Sequence, residues 1–209
     1  MKNQGQSNQT SMANDRDKIM PKKVAITGGI GSGKSYICQF LQERGIKVFD
    51  CDSSAKRLMA TSTTLQQALT RLIGQQVYVD GVLQKGILAQ YLLQSDNHKM
   101  ALNNVIHPAV ADDFRTSGCH WLESAIFFDS GFCHRVEINY VICVTASLSV
   151  RLQRVMQRDN ISHERAMEWI NRQMPQEEMV RLSDFEIVND GEQDIVQQID
   201  KILQTIINY

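Results

Sequence analysis

The chain has 209 residues, a formal net charge of −1 and 22% charged residues. That length suits one domain with a sizeable hydrophobic core, and the near-neutral balance supplies no electrostatic footprint for a nucleic acid or an anionic membrane. No apolar run approaches the roughly 18 residues a membrane-spanning helix needs, and the N-terminus lacks a secretory apolar region. A cytoplasmic protein acting on small molecules is expected, with no obligate protein partner evident.

Residues 1–20, MKNQGQSNQTSMANDRDKIM, hold almost no large apolar side chains and are rich in Asn, Gln and Ser. They bury too little surface to offset their ordering entropy, so a disordered extension is expected, either native or the product of an upstream start. The remaining residues, 21–209, read as a single α/β domain.

Val24, Ala25 and Ile26 predict a buried strand, and from Gly28 the spacing is G-x-x-x-x-G-K-S. Gly28, Gly29, Gly31 and Gly33 are expected at positive φ, turning successive N–H groups inward around a polyphosphate. Ile37, Phe40 and Leu41 then give one buried face of a helix whose N-terminus adds positive potential at the same spot. Lys34 is placed to reach the β- and γ-phosphates, and the Ser35 hydroxyl to sit on Mg²⁺. This is a strand, phosphate loop and helix in the order that nucleotide binding requires.

Residues 46–49 (IKVF) predict a second strand that ends at Asp50, Cys51 and Asp52, with Ser53 as N-cap of the helix beyond. From about residue 61 to 119 the pattern is mainly helical, interrupted by YVDGVL with a turn at Asp80-Gly81, so a helical insertion is expected there. Residues 125–128 (AIFF) read as a third strand ending at Asp129, either a terminal acid that holds Mg²⁺ through water or a solvated turn acid. Residues 136–144 form a continuous β-branched run. Such runs mean strands covered on both faces, hence a parallel sheet flanked by helices.

A helix over residues 145–159 places Arg151, Arg154 and Arg158 on one side, and a charged helical segment from 162 to 174 is broken at Pro175. Residues 151–181 are read as a mobile lid able to bring Arg158 onto the transferred phosphate, the alternative being a solvated charged face. Residues 185–188 supply a last strand before Asn189, and an amphipathic helix closes the chain. The nucleotide-binding core is then assigned to residues 21–60, 120–150 and 182–209. The five cysteines form no C-x-x-C pair and read as small buried residues.

In an open parallel sheet, ligands bind beyond the carboxyl ends of the strands, where the phosphate loop, Asp50 with Asp52, and Asp129 converge. Phosphoryl transfer needs a cradle, a cation and a group that orients the nucleophile. A carboxylate at the tip of the second strand suits the last task. The alternative is that Asp50 and Asp52 end a strand and cap a helix. His107, before Pro108, is a lone histidine that the residues alone leave open between structural and functional roles.

The segments ITGGIGSGKS, GIKVFDCD, VIHPAV, SAIFFDSGF, RVMQRD and DFEIVNDG, in that order, resemble the dephospho-coenzyme A kinase family. The resemblance runs from about Lys23 to Gly191. It implies a P-loop fold with a helical acceptor-binding insertion and a helical lid, and ATP- and Mg²⁺-dependent phosphorylation of the ribose 3′-hydroxyl of dephospho-coenzyme A. It further implies Lys34, Asp52 and Arg158 as catalytic residues, with Asp52 as base near the hydroxyl. Gly29, Ile30, Gly31, Ser32, Gly33, Lys34, Ser35, Tyr36 and Asn189 are implied on ATP. Asp50, Asp52, His107 and Asp129 are implied on the acceptor, with Ser35 on Mg²⁺ and Asp52 or Asp129 joining through water. Asp129 stands where the family often has Glu, Cys51 where Ala is usual, Tyr36 where a small residue is common, and Lys85 where many members carry Arg. A different small P-loop kinase, acting on a nucleoside monophosphate or a metabolite hydroxyl, is the competing reading. A GTP-dependent switch would need an N-K-x-D or T-K-x-D tetrapeptide, and none occurs.

Overall fold

The computed structural model describes residues 21–207, so the expected N-terminal extension lies outside the described residues. Five parallel strands form the central sheet: β1 (Val24–Thr27), β2 (Val48–Asp50), β5 (Trp121–Glu123), β6 (Tyr140–Thr145) and β7 (Phe185–Val188), in the order β2-β5-β1-β6-β7. The chain moves outward from β1 in both directions, so the crevice at the carboxyl end of β1 is the topological switch point. Helices α1 (Lys34–Glu43) and α9 (Ile195–Ile207) cover one face. There Val24, Ile26, Trp121, Ile142, Val144 and Ile187 pack with Ile37, Leu41, Ile199 and Ile202.

The alternate residues Ala25 and Leu122 face the other way, onto α2 (Cys51–Thr61), α3 (Thr63–Ile73) and α5 (Asp96–Thr116). Both faces are therefore covered, which is why these strands read as continuous apolar runs. Between α3 and α5 lie the hairpin β3 (Tyr78–Val79) and β4 (Val82–Leu83), then α4 (Lys85–Gln94). The hairpin turn has Asp80 at φ 50° and Gly81 at φ 77°, the two successive positive values of a tight turn whose twist suits the paired strands. A third apolar cluster joins α6 (Leu148–Asp159) to α7 (His163–Asn171) through Leu152, Val155, Ala166 and Ile170, and Ile30 of the phosphate loop packs against it. The short helix α8 (Gln176–Arg181) leads back to β7.

Two expectations are corrected. The third sheet strand in the chain is Trp121–Glu123, not residues 125–128, which form a turn closed by Ser130 N–H to the Ile126 carbonyl and Gly131 N–H to Phe128. Phe127 is 1% exposed while Ile126 is 43% exposed, because the turn drives one aromatic ring into the helical side of the core and lifts its neighbour out. The helix after β2 is capped by Asp50 rather than Ser53: the Asp50 carboxylate accepts from Ser53 N–H at 2.9 Å and from its hydroxyl at 2.7 Å. Among the described residues no helix is long and apolar enough to cross a membrane.

Candidate active site

The loop from Gly28 to Ser35 leaves β1 and enters α1 with Gly33 as a left-handed N-cap at φ 91°. Close approach matters as much as dihedral freedom. A Cβ on Gly33 would fall 2.1 Å from Asn189 Nδ2, and one on Gly28 would fall 2.2 Å from the Val144 carbonyl oxygen. Gly28, Gly31 and Gly33 have the expected positive φ, but Gly29 does not. At Gly29 the Arg151 guanidinium occupies the space of the missing side chain, 2.3 Å from where a Cβ would stand, so any other residue would displace it.

Lys34 Nζ donates to the carbonyl oxygens of Gly28 at 2.9 Å and Gly29 at 3.5 Å, and lies 3.9 Å from Glu123 Oε1. Burial lowers the Lys34 pKa, against the pull of Glu123, and burial raises the Glu123 pKa, against the pull of Lys34. Desolvation outweighs attraction in both members of this loosely spaced pair. A polyanion entering the loop would give the ammonium the close partner it now lacks. Ser32 Oγ and Thr27 Oγ1 are buried under the loop and have no hydrogen-bond partner among the described residues.

The loop is held from above by α6. Arg151, 5% exposed, donates Nε–H to the Ile30 carbonyl at 3.0 Å. Arg154 reaches the carbonyls of Gly31 at 3.4 Å and Ser32 at 3.3 Å. Arg158, one turn further, is exposed and grips Asp159. Arg154, Arg158, Lys34, Ser35 and Gln173 line one cavity of about 380 Å³. The predicted arginine face therefore does meet the phosphate loop, and Arg154 belongs to it as fully as Arg158. Asn189, at the end of β7, is buried and donates Nδ2–H to the Ser32 carbonyl at 2.8 Å, so it shapes the loop directly. Tyr36 is exposed on the first turn of α1 with its ring edge-on to Phe40.

On the other flank, register pairs Asp50 with Glu123 across β2 and β5. Asp50 is committed to its cap, whereas Asp52 stands exposed on the first turn of α2, paired with Lys56. Glu123 is the strand-end acid that sequence reasoning missed. Its signal was the short run WLE, masked by the more apolar AIFF that follows. Asp129 lies off the sheet, and its Oδ2 accepts the Met174 backbone N–H at 2.9 Å. This corrects the expectation that it ends a sheet strand, since the chain has already turned at residues 126–130.

His107 is inside the insertion, 7% exposed, with its ring edge-on to Phe132 and no partner for Nδ1 among the described residues. Burial, aided by the charge of Arg135, pushes its pKa down to about 4. One turn earlier on α5, Asn103 and Asn104 line a second cavity of about 370 Å³ with Met100, Ser130, His134 and Arg135. His107 does not line that cavity and packs instead against Phe132. Among the described residues no group of three His, Cys, Asp or Glu side chains is arranged to hold a metal ion.

Comparison with known proteins agrees with this geometry. The family described as Dephospho-CoA kinase matches residues 22–194. The dephospho-CoA kinase of Bacteroides fragilis is 38% identical over 187 residues, covering 86% of this chain and 90% of the relative. That of Porphyromonas gingivalis is 36% identical over 194 residues, covering 88% and 93%. A crystal structure from Thermus thermophilus superposes with a TM-score of 0.76 at 29% identity, covering 88% of this chain and 97% of the other. The dephospho-CoA kinase from Campylobacter jejuni, at 24% identity and TM-score 0.58, shares the fold. With a phosphate loop at the switch point of a doubly covered parallel sheet and a family match over most of its length, the chain belongs to the dephospho-CoA kinase family.

Proposed function

We propose that this protein transfers the γ-phosphoryl group of ATP to the ribose 3′-hydroxyl of dephospho-coenzyme A, giving coenzyme A and ADP. The observation that carries the reading is the buried Lys34 ammonium, turned onto its own loop carbonyls in a loop that Arg151 and Arg154 also hold, with Arg158 lining the same cavity. A buried ammonium held only by neutral carbonyls and a distant carboxylate is suited to an entering polyanion.

In this reading the backbone N–H groups from Gly31 to Tyr36 take the phosphates, and Lys34 leaves the Gly28 carbonyl for the β- and γ-oxygens. Arg154 and Arg158 neutralise charge spreading over the transferred group. The Asp52 carboxylate orients the acceptor hydroxyl in line and accepts its proton late, when the transition state is already loose. Asp50 keeps α2 in register so that Asp52 faces the crevice. Asn189 holds the loop beside the adenine end. The cavity of Asn103, Asn104 and Arg135 is assigned to the acceptor, with His107 one turn further along α5. Mg²⁺ would be held by the Ser35 hydroxyl, with Asp52 or Glu123 through water. These hard oxygen donors fit that cation, and its chemistry is to neutralise charge between the β- and γ-phosphates.

The test is coupled turnover of ATP with dephospho-coenzyme A against a panel of nucleoside monophosphates and shikimate-like alcohols, with the product's phosphate position established by NMR. Selective turnover of dephospho-coenzyme A with phosphate on the 3′-oxygen supports the reading. Preference for a nucleoside monophosphate overturns it and leaves a different small P-loop kinase.

A further inference from the structure

The lid is tied down at its return end by contacts that the chemistry above does not use. Between α7 and α8 the chain passes residues 172–175, and three polar groups at or beside this segment bind distant parts of the chain, two of them main-chain N–H groups and one a side-chain carboxylate. Gln173 Oε1 accepts the Ile30 N–H of the phosphate loop at 2.7 Å. The next residue, Met174, donates its N–H to Asp129 at 2.9 Å. Gln176 Oε1 accepts the N–H of Ala146, where the chain leaves β6 for the lid, at 3.2 Å.

Ile30 is therefore gripped three ways by one body. Its side chain packs in the α6–α7 cluster, its carbonyl accepts from Arg151, and its N–H is taken by Gln173. The first two contacts come from α6 and the cluster, and the third from the far end of the lid. Asp129 fixes that far end to the turn that also carries Ser130 and Gly131 of the second cavity.

We propose that Gln173 and Asp129 are positioning residues: they hold the return end of the lid against the phosphate loop, so that Arg154 and Arg158 stand over the transferring phosphate. Both act as hydrogen-bond acceptors for backbone N–H groups. For Asp129 the oxygen matters and its charge does not, which separates this role from that of a metal-holding acid. The assignment to Arg154 and Arg158 rests on the kinase reading above, but the mechanical tie does not.

The experiment compares Gln173→Met, Asp129→Ala, Asp129→Asn and the double variant Gln173→Met/Asp129→Ala. It measures kcat, KM for both substrates, affinity for ADP, thermal midpoint, and the rate of tryptic cleavage within the lid without acceptor. Gln173→Met is expected to lower kcat about tenfold, the scale set by one lost hydrogen bond, with ADP affinity and acceptor KM within about threefold of wild type. Asp129→Ala should fall several-fold, and Asp129→Asn, which keeps an acceptor oxygen, should recover most of that loss. The double variant should be little worse than Gln173→Met, since both ties serve one hinge. Lid cleavage should quicken by at least about threefold in Gln173→Met at an unchanged midpoint.

Wild-type kcat and wild-type cleavage in Gln173→Met overturn the proposal. An Asp129→Asn variant as impaired as Asp129→Ala, with a raised Mg²⁺ requirement, overturns it for Asp129. If Gln173→Met does not fold, the Asp129→Ala and Asp129→Asn pair decides by the same criteria. Should wild type ignore dephospho-coenzyme A, the kinase reading fails, and the cleavage rates still decide the tie.

Discussion

Glu123 Oε1 lies 3.9 Å from Lys34 Nζ, with both side chains more than four-fifths buried, at 17% and 11% exposure. The spacing is too long for a tight ion pair, and burial drives each group toward its neutral form. The Gly28 and Gly29 carbonyls hold the lysine, and Glu123 adds a weaker attraction at longer range. Glu123→Gln keeps the shape and removes the charge. It is expected to lower kcat at least tenfold and, under the proposed role of Glu123 toward Mg²⁺, to shift the Mg²⁺ dependence of turnover to higher concentration. An unchanged Mg²⁺ profile would leave Glu123 with only its ion pair.

Under the proposed function, Lys34→Ala removes the cation expected on the β- and γ-phosphates. Turnover should fall by about two orders of magnitude or more, on the scale of losing one preorganised electrostatic contact in a dry site. The fold should survive, because the lysine's burial is itself costly and Glu123 can take up a proton. A thermal midpoint within a few degrees of wild type and a collapsed kcat are expected together. Near wild-type kcat would remove the phosphate-loop assignment.

Arg154 and Arg158 separate binding from chemistry. Among the described residues Arg158 pairs with its neighbour Asp159 and makes no hydrogen bond to the loop, whereas Arg154 already touches the loop. Arg158→Ala should lower kcat more than it raises KM for dephospho-coenzyme A. Arg154→Ala should also weaken ADP, because it stabilises loop carbonyls before catalysis begins. Lysine at either position should recover only part of the loss, since a point charge cannot reproduce the guanidinium fork. Equal loss of ATP and acceptor binding with kcat intact at Arg158 would return it to a solvated face.

What was legible in the sequence follows from how local each signal is. The phosphate loop is a contiguous motif whose glycines, lysine and serine act on one ligand, so it could be read without the fold. The arginine face needed only helical spacing from Arg151 to Arg158. Glu123 and Gln173 were not legible for opposite reasons. Glu123 ends a strand of three residues, and the longer apolar run after it has stronger strand character but is bent by a turn whose side chains serve the insertion's core. Gln173 works through Ile30, 143 residues earlier, and no local pattern marks a glutamine that will accept a loop N–H. Asp50 was ambiguous between capping and chemistry, and the cap is what its oxygens make.

His107 gives the protein an acid-side weakness. Its pKa is pushed from 6.5 to about 4 in the fold, chiefly by burial and secondarily by Arg135. Well above pH 6.5, from about pH 7.5, both folded and unfolded chains hold it neutral, and it contributes almost nothing to pH dependence. As pH falls below 6.5 the unfolded chain takes the proton first, so stability drops, and the loss stops growing near pH 4. At pH 5 this amounts to roughly 2 kcal/mol. Urea unfolding of wild type and His107→Leu at pH 7.5 and 5 should show the variant losing about that much less. Parallel losses would mean that other groups set the acid limit.

Asp52 stands on the first turn of α2 beside a capped N-terminus, exposed and paired only with Lys56 one turn on. A ribose hydroxyl is a poor nucleophile at neutral pH, so a carboxylate that aligns it contributes mainly by positioning. Asp52→Asn keeps the size and one acceptor oxygen but loses the charge and the capacity to take the proton. A fall in kcat of about a hundredfold or more is expected with dephospho-coenzyme A, within the usual range for a positioned acid or base. ADP affinity should stay within about twofold, because the phosphate loop is untouched. Asp50→Asn supplies the contrast: asparagine caps a helix nearly as well, so its stability should hold, whereas Asp50→Ala should cost about 1 kcal/mol. If Asp52→Asn turns over normally while Asp50→Asn does not, the orienting carboxylate is the one that also caps the helix, and Asp52 returns to its surface pair with Lys56.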